Sequence, residues 1–279
     1  LIPPSIAMVI YAVIADVNLG KLMIAGVLPG VLTVVLYLVA IVVVMAIRPE
    51  LAPAGQRTAW GGRLRAARDV WIIVLLFVFV LGGIYFGWFT PTESAGIGAV
   101  GSFLIALARR RLKLNVFIDV LVDAVRTTAM LFIVLIGSLL FANFVTVSGA
   151  SVAFERWISS FNLGQTGIIL LILAIYIVLG CILEATAMML LTVPILLPVI
   201  AKAGIDPIWF GIFVIIMGGV GLIHPPMGML LFVVKAQLPD VRTGAVFLGT
   251  IPYLAADAVR MTLFIAFPWI VLVLPGMMK

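Results

Sequence analysis

One motif is written twice in this chain, near its two ends. The first copy is Leu1-Ile2-Pro3-Pro4-Ser5-Ile6-Ala7-Met8, and the second is Ile223-His224-Pro225-Pro226-Met227-Gly228-Met229-Leu230. The echo runs past the prolines. Asp16-Val17-Asn18-Leu19-Gly20 leads into an apolar run to Pro29, and Asp240-Val241-Arg242-Thr243-Gly244 leads into another to Pro252. A proline has no amide donor and clashes with the turn before it, so a proline pair between hydrophobic segments breaks a helix. Two such breaks in corresponding halves of an apolar chain point to a secondary transporter built from inverted repeats.

The composition supplies the membrane. Of the 279 residues 65% are hydrophobic and 10% charged, with a mean hydropathy of +1.36. A soluble domain cannot cover that much apolar surface. Apolar segments of roughly 20 residues recur throughout, as spanning helices require, and the short alternating strands of a barrel are missing from the pattern. The fold class expected is an all-α polytopic membrane protein. The net charge of +6 lies in short loops between apolar runs, where basic residues set topology rather than bind nucleic acid. A single Cys181 excludes an internal disulfide, and a single histidine leaves little for a metal or catalytic cluster.

A pass along the chain gives the order of elements. Pro3 to Val13 is the outgoing half of a broken helix, Asp16 to Lys21 a polar turn, and Leu22 to Ile47 a span. A loop with Arg48, Arg57, Arg63, Arg65 and Arg68 follows, then a span from Val70 to Phe86. Thr90-Pro91-Thr92-Glu93 opens the next helix as N-cap, first-turn proline and capping box. That helix ends at Arg109-Arg110-Arg111. Both basic loops therefore lie on one face, the cytoplasmic one. Asn115 to Arg126 reads as an interfacial linker, Thr127 to Val147 as a span, and Glu155-Arg156 as an external loop. Residues 166–203 read as a re-entrant hairpin with Glu184 at its tip, because a full crossing would strand that carboxylate. Irregular backbone at such depth is tolerated only inside protein or beside water. Asp206-Pro207 starts a helix that breaks between Leu222 and Pro226 and resumes to Lys235; a last span runs from Ala245 to about Leu274.

We thus expect three segments: 1–21 closing a first inverted repeat, 22–126 as scaffold-type spans and loops, and 127–279 as a second repeat with hairpin 166–203 and broken helix 207–236. The first copy of the motif begins at Leu1, so the expectation is the C-terminal part of a longer protein. Counting crossings sends Asp16 outside and Asp240 inside, opposite directions for matching motifs.

From Gly221 through Phe232 the chain resembles the large membrane subunit (DctM type) of tripartite ATP-independent periplasmic (TRAP) transporters. Ile2-Pro3-Pro4-Ser5-Ile6, Gly26-Val27-Leu28-Pro29-Gly30, Thr90 through Ala95, Gly180 through Pro198 and Gly204-Ile205-Asp206-Pro207 agree, in family order. The resemblance implies an elevator-type importer of the bacterial inner membrane, driven by Na⁺ and using no other cofactor. It implies a periplasmic solute-binding protein and a small membrane subunit as partners and a small carboxylate as substrate. His224 departs from the usual threonine, and Glu184 from the usual aspartate.

A broken helix offers carbonyls at one cut end and N–H groups at the other, which suit a hard cation and a carboxylate respectively. The expected ion-binding residues, mostly through backbone, are Gly180, Glu184, Thr186, Gly221, Leu222, His224 and Pro225. The expected substrate-binding residues are Pro3, Pro4, Ser5, Pro226 and Gly228, and no catalytic residue is expected. Two roles stand open for Glu184, ion ligand or cap of the hairpin tip. Two stand open for His224, packed neutral imidazole or proton-coupling group. Gly218, Gly219 and Gly221 serve either the site or helix packing. Asp257 and Arg260 are expected to pair along one helix face. An alternative within transport is a stand-alone sodium- or proton-coupled organic-anion carrier. An intramembrane enzyme would need a concentrated polar constellation that this sequence lacks.

Overall fold

A computed structural model describes residues 3, 5–51, 59–110, 112–224, 228–237 and 241–278. The described residues form helices and no strand. Helix α1, Ile6–Ala15, stops where Asp16 turns left-handed (φ 50°). Asn18 then caps α2, Leu19–Ala25, accepting the Lys21 N–H at 2.9 Å, so the helix starts three residues before the span expected from hydropathy. α3, Val27–Ile47, follows without a loop. α4 is Trp60–Tyr85 and α5 is Pro91–Ala108. The capping box at Thr90 forms as expected: Glu93 Oε2 accepts the Thr90 N–H at 2.8 Å, and Thr90 Oγ1 accepts the Glu93 N–H at 3.3 Å.

α6, Leu114–Val147, is one helix of 34 residues, not a linker followed by a span. Neither glycine nor proline occurs between Leu114 and Ile136, so nothing stops the helix at Arg126. Glu155 and Arg156 lie on α7, Ala150–Ser159, rather than in a loop. α8, Gln165–Gly180, and α9, Ala185–Lys202, are the two arms of the hairpin. α10, Pro207–Gly221, is capped by Asp206, whose Oδ1 accepts the Ile208 and Trp209 N–H groups at 2.7 and 3.1 Å. α11 is Met229–Gln237, α12 is Thr243–Ala266 and α13 is Trp269–Met277. The last span, expected unbroken to Leu274, is cut at Phe267 because the residue before Pro268 is pushed out of the helical region (φ −129°, ψ 70°).

Among the described residues, five helices are long and apolar enough to cross a membrane: Leu19–Ile47 taken as one run, α5, α6, α9 and α12. The shorter apolar helices include α1, α8 and α10, which the sequence assigns to breaks and the hairpin. This is an all-α, multi-pass membrane protein.

The chain divides into two compact units. The first holds residues 1–49 and 137–276. Its centre is α10, which packs on α1, α2, α8 and α9 and buries nearly its whole length. Apolar helices in lipid gain nothing from hiding oily surface, so close packing and internal hydrogen bonds hold them. Phe213 stacks with Trp209 and Phe210 at centroid distances of 5.5 and 6.0 Å and meets Tyr176 edge-on at 6.0 Å. Tyr176 bonds Thr192 of α9. Tyr11 donates to the Pro207 carbonyl at 2.7 Å, and its ring fits only because Gly211 faces it; a Cβ there would lie 2.4 Å from the ring. The second unit holds residues 50–136 and 277–279. In it α4 packs on α5, with Leu76 filling the space at Gly101 and Phe79 meeting Phe89 edge-on at 5.7 Å.

One link in the first unit is sensitive to acid. Lys202 at the end of α9 donates to Glu155 of α7, and Ser159 donates to the same Oε1 at 3.0 Å. The Lys202 ammonium foremost, and then the Ser159 hydroxyl, hold the Glu155 carboxyl below the usual carboxylate range. A carboxyl depressed in the folded state stabilises fully above its unfolded value, and that contribution is lost as pH falls through the depressed one. The acid side of the thermal-midpoint profile should therefore flatten slightly in Glu155→Gln; an unchanged slope removes this link from the account.

Candidate functional site

The hairpin tip is built by its own sequence. α8 ends at Gly180, and Glu184 caps α9. Glu184 Oε2 accepts the Thr186 and Ala187 N–H groups at 2.9 and 3.1 Å, while Oε1 accepts the Thr186 hydroxyl at 3.0 Å. A carboxylate at a helix N-terminus satisfies donors that would otherwise be orphaned and complements the helix dipole. The structure thus places Glu184 as a cap, with Thr186 as its partner.

The tip seats on the end of α10 through backbone. A Cβ on Gly221 would lie 2.8 Å from both the Cα and the O of Gly180, and one on Gly218 would lie 2.8 Å from the Ala185 Cβ. Three glycines and an alanine let two helix ends touch where any larger side chain would hold them apart. Gly180 and Gly221, 41 positions apart in sequence, are therefore in contact.

Past Gly221 the helix unwinds. The Ile223 N–H bonds Val220 O at 3.1 Å, and the His224 N–H bonds Gly221 O at 3.3 Å. Gly228 takes φ +41° and bonds back to His224 O at 3.1 Å; Leu230 N–H reaches Leu222 O at 3.1 Å. These bonds reach back across the break, so the Gly221, Leu222 and His224 carbonyls are not the bare dipoles that the sequence alone suggested. Among the described residues, Gly221, Leu222 and His224 each accept one bond. A carbonyl has two lone pairs, so one accepted bond still leaves capacity for a second partner. Pro4, Pro225 and Pro226 lie outside the described residues. Pro3 is buried, and Ser5 precedes α1, which packs on α9 and α10.

A cavity of about 680 Å³ flanks the break, lined by Thr166 and Ile177 of α8, Met217 of α10, His224, and Leu254 and Asp257 of α12. His224 Nδ1 is buried with no partner among the described residues. A second cavity of about 400 Å³ is lined by Thr33 and Tyr37 of α3, Gly219, Ile223, Tyr253 and Arg260. The expected Asp257–Arg260 pair forms at 2.8 Å, with both side chains about 96% buried. Sequence reading missed its other half. Tyr37 donates to both Asp257 oxygens at 3.0 and 3.1 Å, and Arg260 Nη1 donates to Thr33 Oγ1 at 2.8 Å. The signal was available in the echo. Tyr37 stands eight residues after Pro29 and Arg260 eight after Pro252, so the same position of each copy supplies a polar side chain where α3 packs on α12.

The model of the DctM component of tripartite ATP-independent periplasmic transporters matches residues 1–270. The chain belongs to this family. A C4-dicarboxylate TRAP transporter large permease protein of Pseudomonas aeruginosa is 35% identical over 277 residues, covering 99% of this chain and 64% of the relative. A sialic acid TRAP transporter large permease protein of Vibrio cholerae is 31% identical over the same shares. An isethionate TRAP transporter permease protein of Oleidesulfovibrio alaskensis is 30% identical over 243 residues, covering 84% of this chain and 37% of the relative. The DctM-family chain thus spans 64% of the length of the first two relatives, which are permease proteins and not enzymes.

Proposed function

We propose that this DctM-family chain takes part in sodium-coupled secondary import of a small organic acid across the bacterial inner membrane. It receives its substrate from a periplasmic binding protein and works with a small membrane subunit. The substrate is a small organic anion of the kind that the relatives' names carry, C4-dicarboxylates and sialic acid among them. Residues 1–21 close a first inverted repeat, 22–126 serve as scaffold, and 127–279 form the second repeat of an elevator-type carrier.

The observation that carries the reading is the contact of the hairpin tip with the broken end of α10 at Gly180 and Gly221. Helix C-terminal carbonyls there face a capped, anionic tip, which is the local chemistry a Na⁺ ion needs: several oxygens and a negative surround. Glu184 acts twice in this scheme, capping α9 and supplying charge. Gly180, Thr186, Gly221, Leu222, His224 and Pro225 surround the cation, while Pro3, Pro4, Ser5, Pro226 and Gly228 border the substrate.

The test is uptake into proteoliposomes holding the complete membrane assembly, with the binding protein outside. Import should follow an inward Na⁺ gradient and vanish without the binding protein. Glu184→Gln keeps one oxygen to accept the Thr186 and Ala187 N–H groups, turns its NH2 toward the Thr186 hydroxyl and removes the charge, so it should raise the Na⁺ concentration for half-maximal uptake by about tenfold, equivalent to roughly 1.4 kcal/mol, with little change in thermal stability. Uptake indifferent to Na⁺ in the unmodified protein would overturn the reading.

A further inference from the structure

α12 carries a polar stripe through its apolar length. Thr250, Tyr253, Asp257 and Arg260 follow one another at spacings of three, four and three, so they share one helix face. Asp257 and Arg260 meet α3 there, through Tyr37 and Thr33, which stand one turn apart. Lipid offers a polar side chain no partner, so such groups on membrane helices turn toward protein or a wet cavity. Thr33, Tyr37, Thr250, Tyr253 and Arg260 all line the cavity of about 400 Å³. Ile223 of the break and Leu230 in the first turn of α11 border it as well.

The ion pair on this stripe is two-sided. Asp257 lines the larger cavity together with His224, and Arg260 lines the smaller one. The pair is neutral as a whole, yet it offers its negative end to one space and its positive end to the other. Both Asp257 oxygens are engaged, by Arg260 and Tyr37. Arg260 is not saturated. Its Nη2 serves Asp257 and its Nη1 serves Thr33, while its Nε is buried with no partner among the described residues. A buried N–H on a cation is a strong donor, costly to leave unmet, and it calls for an acceptor. The Tyr253 ring meets Tyr37 edge-on at 5.3 Å, which brings a second hydroxyl-bearing side chain to the same cavity.

We infer that this cavity is a small-anion site, in which Arg260 Nε and the Tyr253 hydroxyl donate to one chloride ion or one carboxylate group. Both ligands are compact, singly charged and acceptor-only, which is the chemistry these donors complete. A cation is disfavoured: among the described residues no carboxylate lines the cavity, and the guanidinium repels positive charge. The first turn of α11, at Leu230, adds the positive end of a helix dipole. No described residue of the hairpin lines the cavity, so the site is distinct from the cation site proposed at Gly180 and Gly221. The inference goes beyond the transport reading and stands whether or not Na⁺ drives uptake.

The experiment uses the complete membrane assembly in nanodiscs, where both faces are open to reagent. Thr250→Cys serves as reporter, with Cys181→Ser to remove the sole native cysteine. Two methanethiosulfonate reagents are compared, one bearing a sulfonate and one a trimethylammonium group, each rate normalised to that with free 2-mercaptoethanol. The anionic reagent should be favoured by about tenfold, and the preference should disappear when Asp257→Leu and Arg260→Met are added together. Sodium acetate or sodium chloride, added against a bulky sulfonate buffer, should slow the anionic reagent several-fold, while acetamide, the neutral analogue of acetate, should not. Whichever salt protects at the lower concentration names the occupant as carboxylate or halide. Should Thr250→Cys misfold, the thermal midpoint of the unmodified assembly gives the same answer: acetate or chloride raises it and acetamide does not. In that assay Tyr253→Phe should need about tenfold more anion for the same rise. No preference between the two reagents would sink the inference. So would protection or stabilisation by acetamide equal to that by acetate, which would leave the cavity to water and neutral guests.

Discussion

Arg260→Ala should destabilise the protein by about 3–5 kcal/mol, because it leaves the Asp257 carboxylate buried with its cation gone. The pair is almost wholly enclosed, and Arg260 also holds Thr33 of α3. The lost free energy is therefore not that of one contact; it includes an uncompensated charge and an α3–α12 junction left without its polar tie. Asp257→Leu together with Arg260→Met should be far milder, since removing both charges removes the desolvation problem with them. Tyr37→Phe should fall between, at about 1.5–3 kcal/mol, the usual worth of a hydrogen bond to a charged group. Thermal unfolding of the detergent-purified protein, read by loss of the monodisperse peak, ranks the three variants. A double variant as damaged as Arg260→Ala would mean that the junction depends on the ion pair as such.

Gly221→Val should abolish most transport while a change two residues away does nothing. The added Cβ would stand 2.8 Å from Gly180 Cα and O and 3.0 Å from its carbonyl carbon. Those are backbone atoms, which cannot rotate aside as a side chain can. Overpacking of this kind costs about 1–3 kcal/mol, a roughly 5- to 150-fold loss of the seated arrangement, and valine's branches add to it. Gly219→Ala is the internal control: a Cβ there meets nothing within 4 Å. Removing that helical glycine should leave stability equal or up to about 1 kcal/mol higher. Uptake assays with equal surface expression separate the two outcomes. If Gly219→Ala harms transport as much as Gly221→Val, the glycines act through helix flexibility and the close contact with the hairpin is not what matters.

Much of the architecture could be read without coordinates because it depends on neighbours within a few residues. Thr90 and Glu93 form their capping box, Asp206 and Pro207 open α10, and the i, i+3 spacing of Asp257 and Arg260 produces the pair. Each rests on one turn of helix. The same locality explains the misreadings. The Arg126 region looked like a boundary because polarity changes there, yet a polarity change does not break a helix without glycine or proline. Phe267-Pro268 carried a true stop signal that hydropathy concealed.

By itself, then, the amino-acid order determined that this is a helical membrane chain with a twice-written proline break and a hairpin with Glu184 at its tip. Proline chemistry, capping and the length of apolar runs act within one segment and do not wait for a partner. Tertiary structure alone decided that Gly180 meets Gly221, that Tyr37 and Thr33 complete a pair lying 220 and 227 residues away, and that Glu155 of α7 meets Lys202 of α9. Those facts depend on which helices approach and how closely. Closeness is governed by small residues meeting across a packed interface, a condition on two distant segments at once that no single stretch of sequence can express.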